Sequence, residues 1–120
     1  MKHLFFSICV VLGFLHHAAA QAPTPWRKGD LIFRARPEYP VEAMRARLQG
    51  RGIYVLHVRQ DGSVGSVDVQ RSAGHRILDQ AAIATFRKCR FRSGPVRVYI
   101  SPMEFTLGGR NDGTDWMGRP

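Results

Sequence analysis

Cysteine is scarce in this chain: its 120 residues hold two, Cys9 and Cys89. Acidic residues are also few, 9 against 18 lysines and arginines, for a net charge of +9. That excess attracts polyanions such as nucleic acid, anionic lipid or lipopolysaccharide, and it says nothing about fold. No apolar run reaches the roughly 20 residues that cross a bilayer. Internal repeats and long low-complexity segments are absent as well. What is present is an ordinary apolar fraction, 44%, which excludes disorder throughout. The length allows one domain.

The first twenty residues read as a secretory signal peptide. Lys2 gives a positive start, residues 4–15 form the apolar run, and Ala18-Ala19-Ala20 sets small residues before a cut at Gln21. An uncleaved inner-membrane anchor is the alternative. Cleavage would remove Cys9 and leave Cys89 alone, without an internal disulfide partner. Residues 21–36 read as a linker with Pro23, Pro25 and Gly29-Asp30, in which Leu31-Ile32-Phe33 suits a short strand.

Regular structure is expected from residue 37. Pro40 fits the first turn of a helix over residues 41–49, with Val41, Met44 and Leu48 at helical spacing and Gly50 and Gly52 ending it. Its arginines read as a solvated face. Ile53 to Gln60 is rich in β-branched and aromatic residues, and Asp61-Gly62 is a hairpin signal before a return strand carrying Val67 and Val69. Both faces of the first strand are apolar enough for a central position. His57 is read as a half-exposed strand residue.

The stretch "SAGHRILDQAAIATFRKCRF", residues 72–91, contains residue types that catalysis uses. Leu78, Ala82, Phe86 and Cys89 repeat along one helical face, widened by Ile77 and Ala81, so the thiol reads as an inert packing group. His75 lies at the other end of that helix, about 20 Å away by the helical rise. Ser72, His75 and Asp79 are explained by a turn entering a helix. The chain is therefore read as non-enzymatic, with no cofactor and no metal.

The last element, "VRVYISPMEFTL", alternates in even phase at Val96, Val98 and Ile100 and in odd phase at Met103, Phe105 and Leu107. The slip predicts a bulge at Ser101-Pro102, and the proline predicts an edge strand. Tyr99 and Glu104 are expected to point outward. Residues 108–120 read as a flexible polar tail.

In sequence order, "YP" with "EA", "GRG" opening a strand, "VRQDGSV", "VQRSAGH", "LDQAA", and "RF" before "FTL" closely resemble the C-terminal domain of the TonB energy-transducer family. The resemblance covers residues 36–107. It implies an α+β fold, helix-strand-strand-helix-strand, with a three-stranded antiparallel sheet and two helices on one face. It also implies a periplasmic domain, residues 37–107, that engages an outer-membrane receptor or other envelope protein in TonB-dependent transport. The receptor offers a short extended segment that joins the sheet edge, which is β-augmentation. Here that edge would be Val98, Tyr99, Ile100, Ser101, Met103, Glu104 and Phe105, and the same edge would permit a homodimer. Two departures stand out. The family has an uncleaved anchor and a long proline-rich spacer, which puts force transduction in doubt here, and it commonly has tryptophan where this chain has Cys89.

The competing reading is a basic module that binds lipopolysaccharide or a cell-wall polymer through Arg87, Lys88, Arg90, Arg92 and Arg97. Export argues against a nucleic-acid partner, and no residue pattern points to a small-molecule substrate.

Overall fold

The computed structural model describes residues 22–108. The expected signal peptide and most of the expected tail lie outside them. The elements, in order, are β1 (Leu31–Phe33), α1 (Val41–Arg45), β2 (Gly50–Val58), β3 (Val64–Arg71), α2 (Arg76–Lys88), β4 (Arg90–Phe91) and β5 (Arg97–Phe105). The main sheet has the order β3-β2-β5, all antiparallel, and β1 pairs with β4 in a second small sheet. The fold is α+β, with the helices on one face of the three-stranded sheet. Among the described residues, no helix is long and apolar enough to cross a membrane.

Strand alternation sorts the side chains. On β2, Tyr54, Leu56 and Val58 turn inward and are almost fully buried. Leu78, Ala82 and Phe86 of α2 meet them, Tyr54 and Phe86 with ring centroids 5.7 Å apart. Burying a side chain of this size is worth roughly 1.5–3 kcal/mol. The β2–β3 hairpin closes as its sequence suggests. Gly62 adopts φ 86° and donates to the Arg59 carbonyl, while Asp61 accepts from the amide and hydroxyl of Ser63. These bonds hold the Asp61 carboxyl below its usual range.

The first helix is shorter than its periodicity predicts. It ends at Arg45, and Arg47 turns the chain with φ 54°. Gly50 and Gly52 belong to β2 rather than to a helix stop. A Cβ at Gly50 would collide with the Ala73 carbonyl, so the glycine permits β2 to pass close to the turn before α2. The helix buries Ala43, whereas Val41 and Met44 are largely exposed. Five residues cannot carry a long apolar stripe.

The expected bulge in β5 is absent. The β2–β5 register runs without a break from Gly50↔Phe105 to Val58↔Arg97. The odd positions Tyr99, Ser101, Met103 and Phe105 are all buried. The even-phase Val98 and Ile100 lie on the opposite face, which the helices leave uncovered. Ser101 occupies a core position because it pairs with the large Tyr54. Tyr99 is thus an inward residue, not an outward one, and Glu104 is exposed as expected.

Candidate partner-binding edge

β5 has one neighbour in the main sheet, β2, and is an edge strand. Its free side is fixed by two hydrogen bonds. The Thr24 amide donates to the Val98 carbonyl (3.2 Å), and the Ile100 amide donates to the Thr24 carbonyl (3.0 Å). Val98 and Ile100 therefore direct backbone groups away from β2. Because the ladder is regular, Pro102 and Glu104 do the same. Of the seven residues read as the partner-binding edge, Tyr99, Ser101, Met103 and Phe105 turn their backbone groups toward β2 and their side chains into the core. Val98, Ile100 and Glu104 present the edge itself. Pro102 lies in the same series and has no N–H, so it interrupts the donors between Ile100 and Glu104.

The stretch read as a linker packs against this edge. Thr24 forms a parallel bridge with Tyr99. The Trp26 ring meets Phe91 and Tyr99 edge-on, with centroids 5.7 and 6.2 Å away. The Asp30 carboxylate accepts from the Tyr99 hydroxyl (3.3 Å) and from the Arg27 amide (2.8 Å), and its carbonyl accepts from the Arg92 amide (2.7 Å). Burial, with the Asp30 charge, pushes the Tyr99 phenol up. Leu31 then pairs with Phe91 through β1 and β4. Sequence reasoning found the short strand but missed the packing of Thr24 and Trp26. The one available signal was a tryptophan in a proline-containing stretch read as a linker.

The basic residues lie together near the end of α2 and the start of β5, but two have local partners. The Arg90 guanidinium donates to the carbonyls of Arg87 (3.3 Å) and Cys89 (3.0 Å), at the helix C-terminus. Arg97 donates to the Arg92 carbonyl and lies 5.9 Å from the Tyr99 ring centroid. Arg87, Lys88 and Arg92 are exposed.

The residues that suggested catalysis have structural partners. Asp79 accepts from Tyr54 Oη (2.7 Å), Ser72 Oγ and the Ala73 amide (2.9 Å). Burial opposes its ionisation, but these hydrogen bonds outweigh it and hold the carboxyl below its usual range. Burial, reinforced by Asp79, pushes the Tyr54 phenol far up. Cys89 is 1% exposed, with Sγ 3.6 Å from the Thr85 carbonyl, and burial pushes its thiol up. His57 pairs with Asp68 at 2.6 Å on the exposed sheet face. Among the described residues, no group of His, Cys, Asp and Glu could hold a metal ion.

Comparison with known proteins gives one family. The family described as "Gram-negative bacterial TonB protein C-terminal" matches residues 35–107. Protein TonB of Xanthomonas campestris pv. campestris is 40% identical over 60 residues, covering 50% of this chain and 27% of that protein. Protein tonB2 of Pseudomonas aeruginosa is 37% identical over 67 residues, covering 56% of this chain and 25% of that protein. The chain thus matches about a quarter of the length of these relatives. A solution NMR structure of the Pseudomonas aeruginosa TonB C-terminal domain superposes with a TM-score of 0.60 at 21% identity, covering 67% of this chain and 87% of that one. That likeness concerns the fold.

Proposed function

The chain belongs to the family of TonB C-terminal domains, and on that premise we propose that it is a periplasmic protein-interaction module for TonB-dependent transport. It binds a short extended segment of an outer-membrane transporter, or of another envelope protein, as an added strand on β5. The observation that carries this reading is the edge itself. Val98, Ile100 and Glu104 turn main-chain groups away from β2, and Pro102 breaks the series. An edge of this kind offers main-chain affinity to an extended peptide, and the side chains on either sheet face supply selectivity.

Strand addition depends on backbone groups more than on any single side chain. A photo-crosslinker at Glu104 in the full chain, expressed in its own cells, is expected to capture an outer-membrane transporter. The same probe at Gln70, on the far strand of the sheet, is expected not to. Equal capture at both positions would remove β5 as the docking edge. Because strand addition draws on main-chain groups rather than on guanidinium charge, the Arg90→Ala/Arg92→Ala variant is expected to retain the partner.

A further inference from the structure

The segment N-terminal to the domain covers part of the edge to which the proposed partner would bind. We propose that residues 22–30 are a displaceable strap, an internal stand-in for the partner strand, so that strand addition to β5 requires the strap to leave. This rests on the strand-addition reading of β5.

Three observations carry it. First, the strap takes the part of the edge with uninterrupted donors. Pro102 leaves Val98 and Ile100 as the uninterrupted donors of the free side, and Thr24 takes both the Ile100 amide and the Val98 carbonyl. A strand longer than a residue or two cannot pair there while Thr24 is docked.

Second, the strap ends the sheet. Thr24 faces β5 with both its backbone groups, so in an extended chain its neighbours Pro23 and Pro25 face outward. Neither has an N–H, and an outer edge without donors resists addition of a further strand. Docked, the strap shields β5 from other chains without offering them a new edge.

Third, its hold is local. The ladder to β5 is a single bridge at Thr24. Its other anchors include the Trp26 ring on Phe91 and Tyr99 and the contacts of Asp30. Beyond Asp30 the chain enters the β1–β4 pairing, which does not involve β5. Residues 22–30 can therefore leave without breaking the three-stranded sheet.

Amide hydrogen exchange on the full chain tests the strap, with Thr24→Pro and Trp26→Ala as separate variants. The first deletes the amide that reaches Val98, and the second removes the ring anchor. In both, the Ile100 amide is expected to exchange about tenfold faster or more. The β2 amides of Tyr54 and Leu56 report that the sheet stays folded. The probe for competition is a synthetic peptide copying residues 22–30. Its affinity for either variant is expected to exceed that for the unaltered chain by about tenfold, as expected when a closed state that excludes ligand is removed. An Ile100 amide that exchanges equally fast in all three proteins, or a peptide that binds none or all of them alike, would overturn the strap. Failure to capture a transporter at Glu104, beside a normal response of Ile100 and the peptide, would instead defeat the strand-addition reading and the competition built on it.

Discussion

The Tyr54 hydroxyl, on a side chain with no exposed surface, donates to the Asp79 carboxylate at 2.7 Å and ties the central strand to the first turn of α2. The same carboxylate accepts from Ser72 and Ala73, so one side chain organises the turn into the helix and satisfies the buried phenol. Asp79→Ala leaves that phenol without this partner. It is expected to cost about 1–3 kcal/mol in urea unfolding at neutral pH. Asp79→Asn retains an acceptor and is expected to cost less.

The network also sets an acid limit. The folded Asp79 carboxyl titrates below its usual range. Its contribution is full above the ordinary carboxylate value of about 3.9 and is lost as pH falls toward the folded value. Urea midpoints measured between pH 7 and pH 3 are expected to fall at the acid end, and to fall less in Asp79→Asn. An identical acid slope in both proteins would show that other carboxylates set the limit.

Cys89 is expected to behave as a packing group. It is 1% exposed, and burial raises its thiol above the usual range. Labelling of the native protein with a thiol reagent is expected to be slow and to become fast in denaturant. Cys89→Ser is expected to lower stability by roughly 1–3 kcal/mol, the cost of an imperfectly paired buried hydroxyl. Rapid labelling of the folded chain would contradict burial.

Gly50 is a steric requirement of the fold. A Cβ there meets the Ala73 backbone carbonyl, which has no flexible end to move aside. Gly50→Ala is expected to lower stability by about 1–3 kcal/mol in thermal or urea unfolding. At Gly74, where φ is 92° but no atom lies within 4 Å of the added Cβ, the cost of alanine comes from the backbone alone.

Pro102 limits the length of the free edge. Pro102→Ala restores an N–H between Ile100 and Glu104 without disturbing the ladder to β2, because that N–H faces away from it. One further hydrogen bond, worth about 0.5–1.5 kcal/mol, is expected to raise strand-partner affinity about two- to tenfold. The same variant is expected to self-associate more readily, which sedimentation would detect. Unchanged affinity and unchanged mass would argue against pairing along this part of β5.

The order of helices and strands was readable because periodicity and turn chemistry agree with tertiary packing over most of the domain. Asp61-Gly62 closes the hairpin, and Leu78, Ala82 and Phe86 form the buried stripe of α2. The phase of β5 was not readable. Val96, Val98 and Ile100 look like core residues, but Val96 is exposed just before the strand, and Val98 and Ile100 lie on the sheet face that the helices leave uncovered. Ser101 and Tyr99 look like surface residues, yet both are buried, one because it lies beside Tyr54 and the other because Trp26 and Phe91 enclose it. Helix α1 was overextended because Val41, Met44 and Leu48 match a helical period that the chain abandons at Arg47. The edge position of β5 was legible from Pro102, but the docking of Thr24 and Trp26 against it was not. A contact between Thr24 and Tyr99 is long-range, and its only local trace is a tryptophan in a proline-containing segment.

If a partner adds as a strand to β5, the Glu104 amide is the group that senses it, since it faces away from β2 and lies clear of the Thr24 bridge. The decisive measurement is residue-resolved hydrogen exchange on the full chain, with and without a peptide comprising the extended segment of an outer-membrane transporter. Strand addition is expected to slow exchange at Glu104 by about tenfold or more, an effect that survives added salt. Protection confined to the neighbourhood of Arg87, Lys88 and Arg92 and abolished by salt, with Glu104 unchanged, would contradict it and favour a polyanion partner.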